Sequence, residues 1–289
     1  MYTIFIFIFL IKFLYANDLN PVVHLFIKDQ PGDMDYAIDE VSCTGTILGG
    51  KFIITAAYCV FTMDHCEKNI MKDYKNLYIP GKRITVEYDS FCAHSRKECR
   101  ENQRPKTVRV ERVFIHKKYI KSNCKEGGLA ILELSENIGD RKMAINFKNN
   151  FLPQKLLGFG FGYNPYKSDR TFTLQYDTFN VTKCLAPEIP EGTFCTDETR
   201  NNFCKGDGGG PLMTRDRILY GIVYAGTTCD YIIKVWKKKS EKESLRGHRN
   251  YLTSHFLNFI CTIVQEDKEN PVEGCEKYEN VSNTEITTF

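Results

Sequence analysis

Three short stretches of this chain hold the residues whose types and spacing bear on chemistry. The first, Cys204-Lys205-Gly206-Asp207-Gly208-Gly209-Gly210-Pro211-Leu212, is a glycine-rich turn bounded by a cysteine and a proline, with one carboxylate at its centre. The second runs from Cys43 to Cys59 and ends in Thr55-Ala56-Ala57-Tyr58-Cys59. The third pairs Phe114-Ile115-His116-Lys117-Lys118-Tyr119 with Gly128-Leu129-Ala130-Ile131-Leu132-Glu133-Leu134. None of them offers a nucleophile beside a base. Gly208 has no side-chain atom to attack with, and Gly128 cannot orient a base. A phenol such as Tyr58 has an ordinary pKa of about 10 and keeps its proton at neutral pH. The other groups of suitable type are Asp64, His65 and Ser135. A metal site from Asp64, His65 and Cys66 competes with disulfide bonding of Cys66, which the cysteine usage favours.

The elements that must position these residues read as short strands. The 289 residues are 42% hydrophobic, 13% aromatic and 26% charged, ordinary proportions for a globular chain with ample core material. The net charge of +3 excludes no partner class by itself. Short runs rich in Val, Ile, Phe and Tyr, separated by Gly, Pro, Asn and Asp, predict strands at Pro21–Ile27, Thr46–Leu48, Phe52–Ala56, Arg83–Tyr88, Thr107–Ile115, Leu129–Leu134, Lys155–Phe161, Thr171–Phe179 and Leu219–Tyr224. Such spacing points to an antiparallel barrel or sandwich. Tyr251, Leu252, His255, Phe256, Phe259 and Ile260 fall at helical spacing and predict a C-terminal helix packed on the β-domain.

Met1 to Ala16 is an apolar run too short to span a bilayer and reads as a signal peptide, so export to the extracellular space is expected. Twelve cysteines then read as disulfides, since no pair of Cys-x-x-Cys motifs stands at zinc-finger spacing. No metal or cofactor is expected. Asn180-Val181-Thr182 and Asn280-Val281-Ser282 are N-glycosylation sequons.

The three stretches together resemble the chymotrypsin/trypsin family of serine proteases. The glycine-rich turn is similar to that family's Cys-x-Gly-Asp-Ser-Gly-Gly-Pro-Leu, with Gly208 in the place of the nucleophilic serine. Cys43 to Cys59 resembles the segment ending Thr-Ala-Ala-His-Cys, with Tyr58 in the place of the base. The third stretch resembles Asp-Ile-Ala-Leu-Leu-x-Leu, with Gly128 in the place of the orienting aspartate. Gly158-Phe159-Gly160 resembles Gly-Trp-Gly, and Leu219 to Gly226 resembles the strand along which substrate pairs, with Tyr224 and Ala225 replacing Ser and Trp before Gly226. Asn202 stands where trypsin-like members carry the aspartate that selects Lys or Arg. The resemblance covers approximately Pro21 to Ile260.

It implies an all-β fold of two antiparallel six-stranded β-barrels, chymotrypsin-like, with a C-terminal helix, and the disulfides Cys43–Cys59, Cys184–Cys195 and Cys204–Cys229. Tyr58, Gly128 and Gly208 are expected to converge between the barrels, with Gly206 and Asp207 as remnants of an oxyanion loop. The activation sequence is missing near Val22, which leaves Asp207 to find a different cation or to sit in a loosely held, zymogen-like loop. Residues 17–262 form the protease-like domain, followed by an acidic tail at 263–289 expected to be largely disordered beyond Cys275. Pairings of Cys66, Cys92, Cys99, Cys124, Cys261 and Cys275 stay open. The loops Phe61 to Pro80 and Asp89 to Pro105 read as insertions. A third insertion, Lys234 to Arg249, holds seven basic residues (Lys234, Lys237, Lys238, Lys239, Lys242, Arg246, Arg249) against two Glu and includes Trp236. It is either a solvated loop or a surface for extracellular protein or anionic glycan, and not for nucleic acid. The expected function is a secreted serine protease homologue that acts by binding. An active endopeptidase with an unorthodox site, or a decayed family member without a role, are the alternatives.

Overall fold

The computed structural model describes residues 21–27, 42–61, 79–93, 104–139, 143–148, 151–164, 173–184, 189–197, 202–226, 229, 231, 234, 248–278 and 286–288. Six strands make the first barrel: β1 (Val22–Ile27), β2 (Ser42–Gly49), β3 (Phe52–Ala56), β4 (Ile84–Tyr88), β5 (Lys106–His116) and β6 (Leu129–Leu134). They run β5-β4-β1-β2-β3-β6 and close by pairing of β5 with β6. The near-continuous apolar runs in β1, β3 and β6 follow from burial on both faces. In β3, Ile53 packs in the core of the first barrel, whereas Phe52 and Ile54 pack in the core shared with the second half of the molecule. In β6, Ala130, Leu132 and Leu134 fill the barrel and Leu129 and Ile131 face outward to that same second core.

The second barrel comprises β8 (Lys155–Gly160), β9 (Gln175–Thr182), β10 (Thr193–Thr196), β11 (Pro211–Met213), β12 (Ile218–Ala225) and β13 (His248–Leu252). Its order is β11-β8-β9-β10-β13-β12, closed by β11 on β12, while β7 (Ala144–Ile145) adds to β12 in parallel. Leu156, Phe179, Phe194, Phe203, Leu212, Tyr220 and Val223 fill its interior. Two antiparallel six-stranded barrels are thus present, as expected. Helix α1 (Lys117–Lys121) follows β5, and α2 (Leu257–Val264) packs Leu257, Phe259, Ile260, Ile263 and Val264 into the core between the barrels.

Two expectations need correction. The C-terminal helix is shorter than its spacing predicted, because Tyr251 and Leu252 belong to β13 and pair with Ile222 and Gly221 of β12. Ladder partners distant in sequence outweigh local helical spacing there. The tail beyond Cys275 is not wholly without structure. Cys275 is bonded to Cys261 of α2, and β14 (Ile286–Thr288) pairs with Phe114 to His116 of β5.

Cys43–Cys59, Cys184–Cys195 and Cys204–Cys229 are formed, and Cys92 and Cys124 are also disulfide-bonded. Cys66, Cys99, most of the three insertions, the first 16 residues and Asn280 lie outside the described residues. Of the basic insertion, Arg249 is described on β13, where it pairs with Cys195 of β10.

The bond from Cys261 to Cys275 closes a loop of 14 residues that ties the tail to a buried helix. The double variant Cys261→Ser/Cys275→Ser is expected to lose about 2–4 kcal/mol in urea unfolding. A non-reducing peptide map of the native chain should recover this bond with the three named above.

Candidate functional site

β3 ends at Ala56, and a single 3-10 turn, Ala57–Cys59, carries Tyr58 into the space between the barrels. Two bonds fix that turn. Cys59 is joined to Cys43 of β2, and the Ala57 amide donates to the Gly128 carbonyl at 2.9 Å. From the other barrel comes the loop Cys204 to Gly210. The Thr44 amide donates to the Gly208 carbonyl at 2.9 Å, and the Thr44 hydroxyl donates to the Gly206 carbonyl at 2.8 Å while accepting from the Phe161 amide at 3.0 Å. Gly209 and Val223 complete the lock, the Gly209 amide donating to Val223 at 2.8 Å and the Val223 amide to Gly210 at 2.9 Å. Gly206 and Gly209 have φ of +102° and +87°, which favours glycine at both positions.

Tyr58, Gly128 and Gly208 therefore meet, as the sequence predicts. The phenol fills the position of the missing side chain: a Cβ placed on residue 208 would collide with the Tyr58 hydroxyl. Gly128 is filled in the same manner, since a Cβ there would lie 2.5 Å from ring atoms of both Tyr224 and Tyr251. Tyr58 packs edge-on to Tyr224 at 5.6 Å, and Tyr224 edge-on to Tyr251 at 4.7 Å. The Tyr224 hydroxyl donates to the Cys124 carbonyl at 3.2 Å. Burial, with Tyr224 and Asp207 nearby, holds the Tyr58 hydroxyl above the ordinary phenol range. A proton held that firmly makes Tyr58 a poor base at neutral pH.

Asp207 is satisfied by neither of the expected routes. Its carboxylate accepts from the Gly162 amide at 2.7 Å and from the Cys204 amide at 2.8 Å, so backbone donors stand where a cation was expected, and the loop is held by the bonds above rather than loose. Room for it comes from Gly160 and Gly162, where a Cβ would collide with the carboxylate. Burial outweighs the two amide bonds and raises the carboxyl to about 6.

Farther out, Ala225 ends β12 partly exposed, and the exposed Gly226 follows it. The Asn202 side-chain oxygen and nitrogen are buried with no hydrogen bond among the described residues. His116 caps α1, accepting from the Lys118 amide at 3.3 Å, with its ring against Phe256 and Phe259. Asn180 is exposed on β9, its amide donating to Asp197 at 3.3 Å. Asp64, His65 and Cys66 lie outside the described residues, and no metal-binding cluster occurs among the described ones. The parts that Thr44 and Gly162 play at the site escaped sequence reading, and Tyr251 was expected in the C-terminal helix rather than beside Gly128. Gly162, two residues past the Gly158-Phe159-Gly160 match, was the one with a local signal.

The family model for trypsin matches residues 23–237. The chain is 26% identical over 280 residues to "Trypsin-like protease try-5" of Caenorhabditis elegans, covering 82% of each. To "Venom serine protease" of Polistes dominula it is 23% identical over 228 residues, covering 72% of this chain and 73% of that one. Among solved structures, the scabies mite inactivated protease paralogue S-D1 superposes with a TM-score of 0.58 at 16% identity, covering 85% of this chain and 92% of that one.

A buried carboxyl whose folded value of about 6 lies above the ordinary 3.8 destabilises the fold when ionised. That penalty is full above about pH 6 and lifts as the pH falls towards 4, by up to about 3 kcal/mol. Wild-type stability measured from pH 7.5 to 4.5 should therefore gain this contribution relative to Asp207→Asn, whose profile lacks it.

Proposed function

We propose, for a chain that belongs to the trypsin family of serine proteases, a secreted homologue whose cleft does no peptide hydrolysis and whose role is binding. One observation carries this: the Tyr58 hydroxyl occupies the space that a side chain on residue 208 would need. Acyl transfer of the family type needs a nucleophile, a base in hydrogen-bond reach and a group that orients the base. Gly208 supplies no nucleophile, Tyr58 holds its proton, and Tyr224 and Tyr251 occupy the room an orienting carboxylate at 128 would take. Asn202 carries no charge to pair with a Lys or Arg side chain. Export is supported by the described disulfides, which persist in oxidising compartments.

The binding partner we assign is an extracellular protein or anionic glycan met by the basic insertion from Lys234 to Arg249. Seven basic residues against two acidic ones give it a local positive field whatever its conformation. Replacing Lys237, Lys238 and Lys239 by Gln should move elution from a heparin column to lower salt than wild type. Unchanged elution would remove the insertion from the binding surface.

For the cleft, wild-type protein should show no turnover of a broad fluorogenic peptide library. Gly208→Ser alone should stay inactive and lose about 1–3 kcal/mol, because the new side chain is forced against Tyr58. Tyr58→His together with Gly208→Ser relieves that clash and restores nucleophile and base. Adding Gly128→Asp requires that both Tyr224 and Tyr251 be shortened, since each ring lies 2.5 Å from a Cβ placed on residue 128. Saturable peptide turnover by wild-type protein that survives repurification would establish an active endopeptidase instead.

A further inference from the structure

On the first barrel, next to Thr44 and Phe161, three polar side chains on adjacent strands form a hydrogen-bonded chain. β2, β1 and β4 lie side by side, and Val23, Leu25, Cys43, Ile84 and Val86 fill the barrel. The two-residue period of a strand then puts Ser42, His24 and Glu87 on the opposite face. His24 and Glu87 are direct cross-strand partners, and Ser42 is diagonal to His24, two residues before its partner Thr44. His24 Nδ1 lies 2.8 Å from Glu87 Oε2, and His24 Nε2 lies 2.6 Å from Ser42 Oγ. His24 and Glu87 are 3% and 6% exposed, whereas Ser42 is partly exposed. Phe161 packs its ring 5.4 Å from that of His24.

With Glu87 accepting from Nδ1–H, the imidazole takes the tautomer whose Nε2 lone pair faces the serine hydroxyl. Hydroxyl, imidazole and carboxylate in that order and at those distances make a serine nucleophilic, and the arrangement is recognised by geometry rather than by place in the sequence. We propose that Ser42 is an activated nucleophile, acylated by small activated esters. Ser42 Oγ attacks the ester carbonyl as its proton passes to His24 Nε2, the Oγ–acyl bond forms, and the bond to the aryloxide breaks with the electron pair leaving on the aryloxide. His24 then releases its proton to water. Glu87 is a positioning residue, holding the ring and its tautomer.

The test is acetylation of the full-length protein by p-nitrophenyl acetate, followed by peptide mapping. Ser42 should be acetylated at least about 100-fold faster than Ser122, in keeping with general-base assistance of about 10²- to 10⁴-fold. Ser122 serves as the internal reference because its hydroxyl bonds to backbone groups. Glu87→Gln should slow Ser42 acetylation at least about 10-fold with the melting temperature recorded in parallel, and Ser42→Ala should abolish the modified peptide. Acetyl on Ser42 no faster than on Ser122, or acetylation indifferent to Glu87→Gln, would overturn the proposal. Should Glu87→Gln fail to fold, the Ser42-to-Ser122 ratio in the wild type decides alone. Peptide turnover reports on the cleft and the acetyl map on Ser42, so the two proposals fail separately.

Discussion

A loop buried between two barrels must place every backbone amide and carbonyl in a hydrogen bond, because an orphaned group there has no water to turn to. In the segment Gly206 to Gly210, the carbonyls of Gly206, Gly208 and Gly210 and the amide of Gly209 are bonded to Thr44 of β2 and Val223 of β12, one from each barrel. Thr44 has a second role, since its hydroxyl also receives the Phe161 amide and its carbonyl receives the Thr55 hydroxyl at 2.8 Å. One residue, through its hydroxyl, amide and carbonyl, thus joins β2, β3, the residue after β8 and the glycine loop. The loop keeps its shape for reasons that do not involve the side chain at 208, which is why glycine there leaves the scaffold intact.

Volume is the second constraint. Close-packed interiors do not tolerate a void where a side chain has been removed, and the cost grows with the space left. Gly128 and Gly208 remove atoms from the centre of the molecule, while Tyr58, Tyr224 and Tyr251 put rings into those spaces. The exchange is coupled: returning a side chain at either glycine collides with a tyrosine, so neither substitution reverses singly. A cleft repacked in this way gains the edge-on contacts of Tyr58 with Tyr224 and of Tyr224 with Tyr251.

β3 and β6 are legible residue for residue in the sequence because each buries both faces, giving an apolar run bounded by Gly, Lys or Ser. The meeting of Tyr58, Gly128 and Gly208 is legible too, through three motifs whose order implies one scaffold. What hides is whatever depends on partners far along the chain. β11 has only three residues, too few for a period to register. β13 mimics a helix because Tyr251 and Leu252 happen to precede α2 at compatible spacing, and only its pairing with β12 and β10 reveals the strand. Gly162 makes sense only once Asp207, 45 residues later, occupies the space above it. His24 likewise looks like one polar interruption in Val22–Ile27 until β4 and β2 bring Glu87 and Ser42 alongside.

The contrast between the two sites follows from which groups each can afford an imidazole. A histidine acts as a base towards a hydroxyl only while a partner fixes its other nitrogen, and a buried carboxylate is the partner that does so. Between the barrels the buried carboxylate among the described residues, Asp207, accepts from the amides of Gly162 and Cys204, and the space beside Gly128 is filled by the rings of Tyr224 and Tyr251. On the outer face of the first barrel, the direct pairing of His24 with Glu87 supplies the imidazole and its partner at once, and the register of β2 then adds the hydroxyl. Strand register thus sets imidazole, carboxylate and hydroxyl side by side on the outer face of β2, β1 and β4, while aromatic packing fills the space beside Gly128 and Gly208.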